Sequence, residues 1–339
     1  MSVRCVLNEE VATILPTVST ITANNLTSTS ATCGGNVTSD GGATVTARGV
    51  CWSTSQNPTI SGSHTTNGSG TGSFTSSITG LSAGTTYYVR AYATNSMGTA
   101  YGNEVSFTTA NMDGQPCPGA PTVTDIDGNT YNTVRIGEQC WMKENLRTTH
   151  YADGSSIPAG GNVASNTNPY YYNFSSSTIA LDQRGLLYNW QAVMNGAPSS
   201  TTNPSGVQGI CPMGWHVPSE AEWNHLTDYV SSQSQYKCDN YSTYIAKALV
   251  SSAGWENYSG NCTVGNDLST NNATGFSAVP ASYRNSQGFI AACTNAYFWS
   301  SSAADSNTAW CRYMKHSSAY VLRENSSCYL GHSVRCLRD

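Results

Sequence analysis

Twelve cysteines stand in this chain, and no two of them form a Cys-x-x-Cys pair. The six histidines are not spaced with them as zinc ligands, so a structural zinc site is not expected. A disulfide framework in an oxidising compartment is the better reading. Such a framework has work to do here, because long stretches rich in Gly, Ser and Asn need staples to hold a shape. Charged residues make up only 10% of the chain, yet 38% are hydrophobic, which is enough to fill cores and excludes a disordered profile. The 15 basic residues are thinly spread at a net charge of −5, which argues against nucleic acid as a partner. No apolar run approaches the ~18 residues of a membrane span.

The closing tetrapeptide Ser333-Val334-Arg335-Cys336 also appears at the start as Ser2-Val3-Arg4-Cys5. That echo predicts a slice from a tandem array, with residues 1–11 as the remnant of a preceding repeat or a linker. Met1 leads straight into the tetrapeptide, without a signal peptide, as in a trimmed exported protein.

Residues 12–110 read as one all-β domain. The segments Ala31–Val37, Thr44–Trp52 and Thr86–Thr94 alternate between Gly-rich turns. Leu81-Ser-Ala-Gly-Thr-Thr-Tyr87 resembles the tyrosine-corner segment of fibronectin type III domains, and Asn95-Ser-Met-Gly98 with Val105-Ser-Phe107-Thr resembles their final hairpin. Cys33 and Cys51 fall in two early strands and are expected to staple them. The enclosed loop of about 18 residues would constrain the unfolded chain by about 3 kcal/mol.

Residues 111–121 read as a linker, because Pro and Gly stop the sandwich there. The second domain, 122–339, opens with two short strands around the Asp127-Gly128 turn. Asp125 and Asp127 are better read as turn residues than as calcium ligands, because no bidentate Glu follows at loop spacing. Ser219 and Glu222 form a capping box, and Trp223, Leu226 and Val230 then share one helical face. A second short helix is expected around 243–252.

Eight motifs then occur in order: Asp127-Gly-Asn-Thr-Tyr131, Gly137-Glu-Gln-Cys140-Trp141-Met-Lys-Glu144-Asn145-Leu146, Tyr151-Ala-Asp-Gly154, Gly185-Leu-Leu-Tyr188-Asn189-Trp190, Cys211-Pro-Met-Gly-Trp215-His216, Ala273-Thr-Gly-Phe276, Phe298-Trp299-Ser-Ser and Ser333-Val-Arg-Cys336. Together they closely resemble the Fibrobacter succinogenes major paralogous domain, common in exported proteins of Bacteroidota. That family is similar to the C-type lectin-like fold and, more distantly, to sulfatase activators. The resemblance implies an all-β fibronectin III/Ig-like sandwich followed by an α+β C-type lectin-like domain. It implies disulfides Cys117–Cys140, Cys211–Cys336 and Cys238–Cys262, with Cys5 having lost its partner along with the preceding repeat.

An enzyme is not expected. Cys311 and Cys328 lie where sulfatase activators carry a reactive pair, but their spacing and flanks do not match, and a reactive thiolate needs an electropositive setting. His216, His225 and Glu222 are read as packing and capping residues, since no His-Glu-x-x-His pattern is present. No metal or cofactor is expected, and the tripeptides of calcium-dependent sugar binders are absent. The stretch 303–332 is different. Ala309, Arg312, Val321, Arg323 and Gly331 form a fixed-looking frame around unpatterned residues. It resembles the tails that diversity-generating retroelements rewrite in some lectin-like proteins. The expected ligand-binding set is Trp310, Lys315, His316, Ser317, Tyr320, Leu322, Glu324, Cys328 and His332, with Trp310 and Tyr320 as anchors. Period 2 around 320–324 predicts Tyr320, Leu322 and Glu324 on one side and Val321 and Arg323 on the other. The expected protein is thus an exported, modular adhesion or ligand-binding protein, outside the cell or on a bacterial surface. Its partner would be an unknown protein or glycan. The alternatives are a structural stalk, fimbrial or phage-tail module, the last on a virion.

Overall fold

In the computed structural model, which describes residues 12–174, 179–290 and 293–339, the period-2 segments of the first hundred residues become eight strands. They are β1 (Thr17–Asn24), β2 (Ser30–Ser39), β3 (Ala47–Ser53), β4 (Ser63–His64), β5 (Gly72–Thr79), β6 (Thr86–Asn95), β7 (Gly98–Tyr101) and β8 (Val105–Thr108). One sheet runs β1-β2-β5; the other runs β4-β3-β6-β7, with β8 also on β6. Ala31, Val37, Phe74 and Ile78 of the first sheet meet Val50, Val89 and Ala91 of the second in one core. The Tyr87 hydroxyl accepts from the Ser82 N–H at 3.1 Å, which pins the corner before β6. This is the sandwich that the alternation predicts.

The expected Cys33–Cys51 staple is not there. Cys33 points into the core from β2. On β3 it is Val50 that points inward, so Cys51 faces the other way, and its thiol lies 3.4 Å from the Pro58 carbonyl. Both thiols are buried and unbridged, on opposite sides of a sheet.

The chain divides into two compact units between Met112 and Asp113. The expected linker therefore loses most of its length, because residues from Asp113 onward are built into the second unit. The Asp113 carboxylate accepts from the hydroxyls of Tyr229 and Tyr236, each at 2.8 Å, and from the Gly137 N–H at 2.7 Å. Residues 1–11, with Cys5 and the echoed tetrapeptide, lie outside the described residues.

The second unit adds β9 (Thr122–Thr124), β10 (Thr130–Ile136), β11 (Gln139–Met142), β12 (Tyr171–Tyr172), β13 (Leu187–Tyr188), β14 (Trp215–His216), β15 (Tyr283–Asn285), β16 (Gly288–Ile290), β17 (Asn295–Ala303), β18 (Thr308–Lys315), β19 (Leu322–Ser327) and β20 (Leu337–Arg338). Among the described residues four α-helices join them: α1 (Leu181–Arg184), α2 (Trp190–Met194), α3 (Glu220–Ser232) and α4 (Ala246–Leu249). At the β9–β10 turn, the Asp125 carboxylate accepts from Asn129 and from the Tyr131 hydroxyl, as a turn residue should. Ser219 caps α3, with both arms of the capping box formed. Over 243–252 only the single turn α4 is helical.

The main sheet runs β14-β20-β11-β10-β9, and a second runs β17-β18-β19. The β17–β18 ladder divides two cores. Trp299, Ala309 and Cys311 belong to one, while Ala296, Phe298 and Met314 belong to the other, with Trp141, Trp223 and Phe276. Arg335, fully buried, donates to the carbonyls of Phe276 and Ser277 and to Asn145 Oδ1. Its guanidinium lies 4.4 Å from the Phe276 ring centroid and 5.4 Å from that of Phe298.

Three disulfides staple this unit: Cys117–Cys140, Cys211–Cys336 and Cys238–Cys262. Cys211 and Cys336 are 125 residues apart, so opening that bridge releases the largest loop. The Cys211→Ala/Cys336→Ala variant should lose about 4–5 kcal/mol in chemical denaturation of the oxidised protein. Peptide mapping should find Cys33 and Cys51 alkylated only after unfolding.

Candidate functional site

Polar turns build the surface where β18 passes to β19. The connection Lys315–Tyr320 is bonded on both sides. The Gly265 N–H donates to the His316 carbonyl at 2.7 Å, Val264 to Ser318 at 3.1 Å and Ala246 to Ala319 at 3.1 Å. The His316 N–H in turn donates to the Thr294 carbonyl. The segments that receive it are themselves joined by Cys238–Cys262. Four expected site residues, Lys315, His316, Ser317 and Tyr320, therefore sit on one braced loop.

Neighbouring loops bring aromatics against it that the sequence analysis did not single out. The Tyr320 ring meets Tyr244 edge-on at 5.2 Å, Tyr244 meets Tyr241 at 4.9 Å, and Tyr258 meets His316 at 5.5 Å. Tyr241 is 60% exposed, Tyr258 46% and Tyr320 43%. These tyrosines form an exposed aromatic patch on well-tied backbone. The signal that locates them is the Cys238–Cys262 bridge, which draws the loops bearing Tyr241, Tyr244 and Tyr258 together.

The remaining expected residues do not join them. Across β18 and β19, Trp310 pairs with Asn325, Cys311 with Glu324 and Tyr313 with Leu322. Paired residues share a face, so Trp310 lies on the opposite face from Leu322 and Glu324. The single face expected to unite them is not assembled. Trp310 instead lies under the Arg323 guanidinium, 3.5 Å from its ring centroid. Arg323 and the buried Arg312 both bond Glu220 at 2.6 Å. Leu322 and Glu324 share the face of Tyr313, whose ring stacks on Tyr297.

Cys328 and His332 are corrections too, being 2% and 1% exposed, out of reach of a ligand. His332 packs against Trp299 and Tyr297, and burial pushes its pKa down to about 3, so it is neutral. Burial pushes the Cys311 thiol up to about 12 and the Cys328 thiol up to about 11, so both are protonated at neutral pH. Cys238, Asp239 and Cys262 cluster at metal-ligand distance, but both thiols are spent in a disulfide.

His216 sits apart, buried between two carboxylates. Its Nε2 is 2.7 Å from Glu222 and its Nδ1 2.6 Å from Asp339. Burial alone would lower its pKa, but the hydrogen bonds and charges of Glu222 and Asp339 outweigh burial and raise it above the ordinary histidine value. A raised folded pKa gives stability that is complete below the unfolded value, about 6.5, and lost as pH rises through the folded one. Denaturation of wild type and His216→Gln should therefore show a stability gap that shrinks as pH climbs from about 6 into the alkaline range. A gap independent of pH would contradict the charged clamp.

The fold and its motif residues define a disulfide-stapled, two-unit protein of β-rich modules. The family profile described as the Fibrobacter succinogenes major domain matches residues 134–338, and the chain belongs to that family. No curated protein matches it. Among solved structures, the sensor domain of the anti-sigma factor RsgI4 of Pseudobacteroides cellulosolvens is similar at 18% identity and a TM-score of 0.23, covering 30% of this chain and 99% of that one. A human fibronectin type III domain is similar at 19% identity and a TM-score of 0.26, covering 34% and 96%. The chicken CNTN1 FN1–FN3 domains give 16% identity and a TM-score of 0.23, covering 30% and 33%.

Proposed function

We propose that this chain is an exported ligand-binding module without catalytic activity. In this reading a fibronectin-like spacer carries a C-type lectin-like domain that binds through the β18–β19 loop and its tyrosine neighbours. The carrying observation is the exposed set Tyr241, Tyr258 and Tyr320, braced by Cys238–Cys262. Large rigid rings offer contact area at low entropic cost, and Lys315, His316 and Ser317 supply adjustable polar contacts beside them. Trp310, Leu322 and Glu324 take a place at the periphery, because the ladder turns them to two different faces.

The three disulfides are consistent with an extracellular or secreted protein. Among the described residues no helix is long and apolar enough to cross a membrane. The partner would be a protein or glycan met outside the cell, on a bacterial surface or at a virion. The reading extends to diversification: a braced loop with arbitrary side chains is a surface on which residues can be exchanged without disturbing the core.

The test is a glycan and extracellular-protein array probed with the intact oxidised chain and with Tyr241→Ala/Tyr320→Ala. Both positions are exposed, so the variant should melt within about a degree or two of wild type. Binding should fall at least about 30-fold, as loss of a hot-spot residue requires. Undiminished binding by the folded variant would refute the assignment of this surface, and a wild-type chain that binds nothing would favour a structural stalk.

A further inference from the structure

Away from the tyrosine surface, a cavity of about 280 Å³ opens between segments far apart in sequence. Lys143 and Glu144, just after β11, form one wall. Ile179 and Gln183, at the start of α1, form another, and Ser252 and Val279 contribute from the chain after α4 and before β15. The size suits a ligand of monosaccharide or amino-acid dimensions, below the volume of a drug-sized site.

The charges in this cavity are unequally committed. The two oxygens of Glu144 accept from the backbone N–H of Asn132 at 2.7 Å and from its side-chain amide at 3.0 Å, so this carboxylate is occupied. Lys143 is half-buried, and among the described residues nothing pairs with its ammonium. The exposed Gln183 amide and Ser252 hydroxyl likewise have no partner among the described residues. The floor behind them is rigid, because Arg335 holds the carbonyls of Phe276 and Ser277 from beneath. A half-buried cation that no carboxylate pairs among the described residues, beside two exposed polar groups and two apolar side chains, is a binding arrangement.

We propose that this cavity is a second ligand site, taking a small carboxylate. The Lys143 ammonium donates to the carboxylate. Gln183 and Ser252 bond neighbouring hydroxyl or amide groups, and Ile179 and Val279 cover the carbon skeleton. The site shares no residue with the tyrosine surface, so it stands or falls independently of that reading.

Calorimetric titration of the full oxidised chain with glucuronate, N-acetylglycine and glucose tests it. Saturable binding of glucuronate, alone or with N-acetylglycine, is expected, and glucose should not bind. Binding of both acids shows that the carboxylate suffices, while glucuronate alone assigns a sugar acid. Lys143→Met should weaken binding by about 10-fold or more, the loss of a charged hydrogen bond. Lys143→Arg should keep most of it, and Tyr241→Ala/Tyr320→Ala should leave it unchanged. Failure of both acids to bind, equal binding of glucose, or equal binding by a folded Lys143→Met variant would each overturn the proposal.

Discussion

One buried guanidinium organises the second unit. Arg335, from the Ser-Val-Arg-Cys motif, has no solvent access and no buried carboxylate bonded to it. Burial lowers its pKa to about 9, still high enough to keep it charged at neutral pH. Its charge is met by the carbonyls of Phe276 and Ser277, by Asn145 and by the faces of two phenylalanines. These partners come from three other family motifs, those around Asn145, Phe276 and Phe298. Residues nearly two hundred positions apart are thus tied at one point, beside the Cys211–Cys336 bridge.

That knot explains how a chain so rich in Gly, Ser and Asn holds loops at defined positions. Trp141, Trp223, Phe276 and Phe298 pack around it in edge-on and tilted pairs. The β17–β18 ladder lies between two cores and cannot move without disturbing both. Its far end carries the Lys315–Tyr320 loop, and the Cys238–Cys262 bridge fixes the loops that flank it. A fixed frame and a permissive surface are therefore two consequences of the same packing.

Local signals were legible in the sequence, and relations between elements were not. The Ser219 cap, the Asp125 turn and the β6 alternation each depend on residues close in sequence, and each appears as expected. Ordered motifs located the family and its three bridges. Cys33 and Cys51 misled because strand alternation says which way a side chain points only relative to its own sheet. Trp310 was grouped with Leu322 and Glu324 because the β18–β19 register decides their faces, and register is a property of the pair. Cys328 and His332 looked like surface residues beside serines, yet the closing segment runs inward to meet Tyr188 and Trp299. Asp113 seemed part of a linker because its three partners lie far along the chain.

The most direct test of this account is the thermal and chemical unfolding of Arg335→Met in the oxidised full chain. Methionine fills similar space, but it leaves the Phe276 and Ser277 carbonyls unpaired. The account predicts a loss of about 3–5 kcal/mol, with the three disulfides still formed in the folded fraction. Unfolding indistinguishable from wild type would contradict the claim that this buried arginine holds the frame together.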